Sequence, residues 1–229
     1  MRSLLPLADD VDLGLAYAVP AAGTRHVRVN FVASADGAGA VDGHSDGLSG
    51  PADKEVFRVL RGLADVVVVG AGTARGEGYG PVRRTRSGAR PPLALVTGHP
   101  DLDPTAPLFT EAATRTLLLT TAEADTSAYD AVADVIVCGK GRVDLGAALD
   151  ALAERGLTRV LCEGGPGVFG QLAGAGLLDE LCLTVAPLLT GPGGPGITGG
   201  APWAETRQLR LAGLLEDEGF LFCRYERAW

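Results

Sequence analysis

Residues 159–189, RVLCEGGPGVFGQLAGAGLLDELCLTVAPLL, constrain the fold more than any other stretch. An apolar run ends at Glu163, Gly164, Gly165, Pro166 and Gly167, then resumes at helical spacing. Such a pattern predicts a strand, a glycine turn, a helix and a second strand. A helix entered through glycines leaves its first amides without intrahelical partners, and with the dipole behind them they attract an anion such as a diphosphate. A β-carbon at the turn would block that approach. A tight strand-to-helix connection with nothing bound accounts for the segment equally well, so the rest of the chain must decide.

The remaining segments repeat the alternation. VRVNFVASADG, 27–37, begins as a β-branched strand and ends in the turn formers Ser34, Asp36 and Gly37. GHSDGLSGPADKEVFRVLRGLAD predicts an amphipathic helix with Ser49 as N-cap, Pro51 in the first turn, and Val56, Val59, Leu60 and Leu63 on one face. VVVVG, 66–70, has the unbroken apolar character of a strand buried on both faces of a parallel sheet, and it runs into a second glycine turn, AGTARGEGYGP. Further strands are expected at 92–97, 116–120 and 134–139, a helix at 145–156 stopped by Gly156, and an irregular glycine–proline loop at 188–200. Alternating segments at 207–215 and 219–227 read as an antiparallel hairpin. Residues 1–24 read as an irregular lead-in with one turn of helix. The expectation is an extension over 1–26 packed on one α/β domain, 27–229, with a mixed, mostly parallel sheet covered on both faces.

Charge narrows the ligand class. A net charge of −8 argues against a nucleic-acid or anionic-membrane surface, since both need a positive field, so a small anion must be met by local cations. Cys138, Cys162, Cys182 and Cys223 stand singly in apolar stretches, and three histidines do not supply a metal-ligand pattern. They read as buried hydrophobes in a reducing compartment, and no metal site is expected. The early acidic residues and the lack of a long apolar run predict a cytoplasmic protein.

Taken together, ASADG at 33–37, the LSGPAD helix start, VVVVGAGTARGEGYGPVR at 66–83, LAERGLTRVLCEGGPGVFGQLAGAGLLDELCLTVAPLL at 152–189 and the glycine loop beyond resemble a known family. It is the reductase domain of bacterial riboflavin biosynthesis, a pyrimidine reductase with the fold of dihydrofolate reductase. The order and spacing hold from about residue 27 to the end. The resemblance implies NADPH-dependent hydride transfer to C1′ of a ribosylaminopyrimidine phosphate, opening the sugar to a ribityl chain, and a homodimer. Exposed edges at LCLTVAPLL and the terminal hairpin would favour that dimer. The usual bacterial enzyme carries a zinc deaminase domain ahead of the reductase; its H-x-E and P-C-x-x-C ligands are missing here, which implies a stand-alone reductase.

Site residues carried over by the resemblance fall into two groups. Cofactor contacts are Ala33, Thr73 and Gly165, Pro166, Gly167, Val168 and Phe169, with Gly70, Glu77 and Gly164 in the same turns and Thr97 added on its position after the strand at 92–97. Substrate contacts are Ser45, Arg61, Arg84 and Glu163. Guanidinium holds phosphate through paired hydrogen bonds, which suits the arginines; a helix-end cation and a solvated loop charge are the plainer accounts of Arg61 and Arg84. Glu163 closes an apolar strand, where an unpartnered carboxylate is costly, so it reads as a ligand and catalytic group or as a helix cap. Asp36 and His44 are candidate proton donors, although Asp before Gly is commonly a turn residue. Thr97 and His99, or Lys140 and Arg142, are candidates for the 2′-phosphate. Asn30 stands where many members have lysine, and Gly76, Glu77, Gly78 and Tyr79 replace an Asp-Asp-Pro run, with Glu77 keeping the first acidic role. That altered loop faces the expected substrate, so pterin reduction and non-catalytic nucleotide binding stay open.

Overall fold

Eleven strands join into one sheet in a computed structural model that describes residues 1–83, 85, 88 and 90–229. The chain opens with Arg2–Leu5 (β1), Leu7–Ala8 (β2) and the short helix Leu13–Ala16 (α1). His26–Ser34 (β3), Pro51–Leu63 (α2), Val66–Gly70 (β4), Ala71–Gly76 (α3) and Leu93–Val96 (β5) follow. Next come Pro107–Thr110 (α4), Thr116–Thr120 (β6), Ala133–Val137 (β7) and Leu145–Ala153 (α5). Arg159–Cys162 (β8), Pro166–Gly174 (α6), Glu180–Ala186 (β9), Leu209–Asp217 (β10) and Phe220–Arg227 (β11) complete it.

The sheet order is β2-β1-β10-β11-β9-β3-β8-β4-β5-β6-β7. From β9 to β7 the strands run parallel; β11, β10, β1 and β2 add antiparallel pairs. The expected mixed, mostly parallel α/β sheet is therefore the architecture found. The run VVVV needs no polar position because both faces of β4 are covered: Val66 and Val68 join the core beneath α5 and α6, whereas Val67 and Val69 join the core beneath α2. β8 slots between β3 and β4, so the direction of chain progression reverses there. Such a reversal opens a crevice at the strands' carboxyl ends.

Two local expectations are corrected. Ser49 does not cap α2; Gly50 is the N-cap, and the Ser49 hydroxyl donates to Asp53 Oδ2 at 2.5 Å. The lead-in is not irregular at its start, because β1 pairs antiparallel with β10, placing Ser3 opposite Leu215. Four residues carry too little pattern to announce a strand; the open edge of the hairpin selects them. For the same reason the edges invoked for a dimer lie elsewhere: β9 is interior, β10 is covered by β1, and the outermost strands are β2 and β7. Among the described residues no helix is long and apolar enough to cross a membrane.

At the far end of the sheet from the crevice, Glu180 is 1% exposed and lies 2.8 Å from Arg28 Nη2 and 3.0 Å from His26 Nε2, with Arg224 at 3.8 Å. Burial pushes its carboxyl pKa up, but the hydrogen bond from His26 and the charges of Arg28 and Arg224 outweigh it and the net shift is downward. Glu180→Gln strands the buried Arg28 and is expected to cost about 3–5 kcal/mol in urea unfolding. A lowered folded pKa means the carboxylate's contribution is complete above its ordinary value of 4.5 and is lost as pH falls through the lowered one. Wild-type stability should therefore fall on acidification below that value more steeply than that of the variant.

Candidate functional site

The crevice is a cleft of about 970 Å³ walled by β3, α2, α3, the turn after β8 and the glycine loop at Pro195 and Gly196. Its floor is the turn that opened the sequence reading. Gly164 has φ 110°, a left-handed conformation that favours glycine, and the Gly164–Gly165 peptide is cis. A β-carbon on Gly165 would lie 2.1 Å from Thr73 Oγ1, so the two glycine turns meet here at contact distance. The amide of Gly70 donates to the Gly164 carbonyl at 2.8 Å and ties the ends of β4 and β8 together. Val168 and Phe169 donate to the Gly165 carbonyl at 3.0 and 3.1 Å, whereas the amides of Gly165 and Gly167 have no protein acceptor among the described residues. Those two donors, with Thr73 beside them, are suited to an anion.

One wall is a buried charge cluster. Arg61, in the last turn of α2, grips Glu163 with two hydrogen bonds, Nε to Oε1 and Nη2 to Oε2, both 2.7 Å. The Tyr79 hydroxyl donates to Oε2 at 3.1 Å, and the Arg61 guanidinium lies 4.3 Å over the Phe57 ring. Burial alone would lower the Arg61 pKa, but the Glu163 charge and hydrogen bonds reverse it, while burial and Glu163 push Tyr79 well up. Arg61 thus holds a carboxylate through Nε and Nη2 while still lining the cleft. Glu163 has its partner within the protein and caps no helix; Gly165 is the N-cap of α6.

Other predicted residues divide between cleft and scaffold. Ser45, Thr73, Glu77, Gly165 and Pro166 line the cleft. Glu77 accepts the Ser45 amide at 2.9 Å and lies 3.8 Å from His44 Nδ1, holding the 44–45 loop against the end of α3. Ala33, Val168 and Phe169 are buried, the last with its ring 5.4 Å from Phe31, so their side chains serve packing. Thr97 closes its own turn through His99, donating to its carbonyl at 2.7 Å. Arg142 lies in a separate groove between α5 and α6. Arg84 lies outside the described residues.

Asp36 does not line the cleft. It accepts the Ser34 hydroxyl at 2.5 Å and the amides of Thr190 and Gly191 at 3.0 and 2.9 Å, pinning the glycine loop. These bonds lower its pKa to about 2, the opposite of what a proton donor near neutral pH requires, so its catalytic assignment is corrected to an anchoring one. Asp53 and Phe57, by contrast, line the cleft and were overlooked. Their spacing with Arg61, four residues apart on one helix, was the available signal, on a stripe beside the apolar face of α2.

The model of the RibD C-terminal domain family matches residues 25–219. RibD of Mycobacterium tuberculosis is 30% identical over 173 residues, 74% of this chain and 44% of that protein, so the chain spans less than half of that relative's length. A 2,5-diamino-6-ribosylamino-4(3H)-pyrimidinone 5′-phosphate reductase of Archaeoglobus fulgidus is 27% identical over 179 residues, 72% of this chain and 82% of that one. Among solved structures, a pyrimidine reductase-like protein from Corynebacterium diphtheriae aligns with a TM-score of 0.83 at 29% identity, over 96% of this chain and 100% of that chain. With the family model matched over residues 25–219, well over half of the sequence, the chain belongs to the RibD C-terminal domain family.

Proposed function

We propose that this chain is an NADPH-dependent reductase that converts a ribosylaminopyrimidine phosphate to its ribitylamino form in riboflavin biosynthesis. The observation that carries the reading is the pair of unengaged amides, Gly165 and Gly167, at the start of α6, opening beside the Arg61–Glu163–Tyr79 wall. Family membership supports it, and the relatives' names give the substrate class. The dinucleotide's diphosphate fits those amides and Thr73, because glycine removes the side chains that would block it. When bound, it supplies the hydride.

The protein's own work is positioning. A guanidinium shared with Glu163 and stacked on Phe57 cannot swing, so the carboxylate and the Tyr79 hydroxyl present fixed acceptors to substrate hydroxyls or amines. With two Arg61 donors committed to Glu163, the substrate phosphate falls to the outer cations of the cleft, Lys54 and Arg83. Opening the C1′–oxygen bond requires a proton on the ring oxygen, and Asp36, ionised and outside the cleft, does not give it. Homodimer formation belongs to this reading too; it is supported by the open edge of β7, where Val137 is 59% exposed, and by Leu7, 83% exposed, on β2.

The deciding measurement is loss of nicotinamide absorbance in purified protein. Consumption of NADPH with the ribosylaminopyrimidine phosphate and not with dihydrofolate is expected; turnover of dihydrofolate alone would replace the reading with pterin reduction. Gly165→Ala pushes a methyl against Thr73 Oγ1 and should weaken NADPH binding at least ~10-fold in a fluorescence titration, with little change in the thermal midpoint. An unchanged affinity would move the nucleotide away from this turn. Light scattering at micromolar concentration is expected to give twice the 23.4 kDa chain mass, and the single-chain mass would exclude the dimer.

A further inference from the structure

Asp53 faces the cleft from the first turn of α2 and is 8% exposed. Its Oδ2 accepts the Ser49 hydroxyl, and its Oδ1 has no hydrogen-bond partner among the described residues. Among the described residues the enclosed side-chain atoms without partners are Arg28 Nε, Thr120 Oγ1 and Arg207 Nε, so Asp53 Oδ1 is not sealed inside protein and opens on the cleft. A helix dipole favours an acid in a first turn, and that would explain an exposed aspartate. It does not explain why a side chain only 8% exposed is held by Ser49 with its second oxygen turned into the cleft. Nor does Asp53 close a capping box, since it takes no hydrogen bond from the Gly50 amide.

Asp53, Phe57 and Arg61 follow one another at four-residue spacing and all line the cleft, so a carboxylate, an aromatic ring and a guanidinium recur about every 6 Å along one wall. Arg61 holds Glu163 with two of its donors. A flat heterocycle laid against Phe57 would meet the open oxygen of Asp53, one turn away, at its edge. From this geometry we infer that Asp53, aimed by Ser49, reads the amino edge of a 2-amino-4-oxopyrimidine and selects that ring over its 2,4-dioxo counterpart. The inference rests on the reductase reading above and specifies its substrate.

The chemistry is donor counting. In the amino ring, N3–H and the C2 amino group are adjacent donors, and a carboxylate accepts both, one on Oδ1 and one on the second lone pair of Oδ2. In the dioxo ring the C2 position is a carbonyl, whose lone pairs would face the carboxylate. One attraction becomes a repulsion, and the ring is disfavoured. The protein would then act on a ring that still carries its C2 amino group. A hydrolytic deamination, in which water replaces that amino group and ammonia leaves, must consume the product.

The test compares two ribosylaminopyrimidine 5′-phosphates differing only at C2, by kcat/KM with NADPH and by calorimetric binding without nucleotide. Wild type is expected to favour the amino ring at least ~10-fold in both. Asp53→Asn, nearly isosteric and able to donate to a C2 carbonyl, should bring the two rings within about threefold, with the change in KM rather than kcat. Should that variant fail to fold, Ser49→Ala keeps the charge but loosens its aim, and is expected to narrow the preference in part. Equal use of both rings, or a preference that neither variant alters, overturns the inference and leaves the reductase reading standing. Turnover of neither ring overturns that reading instead; a calorimetric preference abolished in Asp53→Asn would still support the role of Asp53, and no preference would end it. Turnover of a dihydropterin alone, which carries the same edge, lost in Asp53→Asn, would replace the substrate and keep the residue's role.

Discussion

A carboxylate that ends a central strand has to be neutralised, and the way this chain does so organises its cleft. Glu163 leaves β8 with its side chain 1% exposed, and Arg61 reaches it from a helix 102 positions earlier in the chain. The pair fixes the C-terminal end of α2 over the crevice, and Phe57 and Tyr79 pack against the same guanidinium. An isolated buried ion pair contributes little net stability after desolvation. Its value here is geometric: two planar groups locked by two short bonds leave one permitted arrangement of the wall.

The opposite side depends on the absence of side chains. Thr73 and Gly165 approach so closely that the two glycine turns form one surface, and the amides left over face an anion-sized space. Cleft chemistry is therefore divided between a rigid charged wall from α2 and a bare backbone floor from α6. The glycine loop is laced down at its first residues by Asp36 and again where the Gly199 amide donates to the Pro166 carbonyl at 2.9 Å.

Legibility followed the range of the interactions involved. The strand–turn–helix at 159–174, the doubly buried β4 and the terminal hairpin each announce themselves by local periodicity, and each stands where the pattern put it. Arg61 and Glu163 were both read as site residues, but their union was not, because nothing local tells a cation which distant carboxylate it will meet. Asp36 misled for a related reason: an Asp-Gly turn looks the same whether its carboxylate faces a ligand or, as here, the amides of a loop more than 150 residues away. Asp53 escaped notice because a helix start rich in polar residues looks solvated until the cleft is seen beside it.

The ribbon of β1 and β2 is joined to the rest of the sheet only through β10, a partner more than 200 positions further along the chain. The parallel core from β3 to β8 can assemble without that ribbon. The β1–β10 seam carries the highest sequence separation in the sheet, so closing it costs the most loop entropy and it is the joint that opens without disturbing the parallel core.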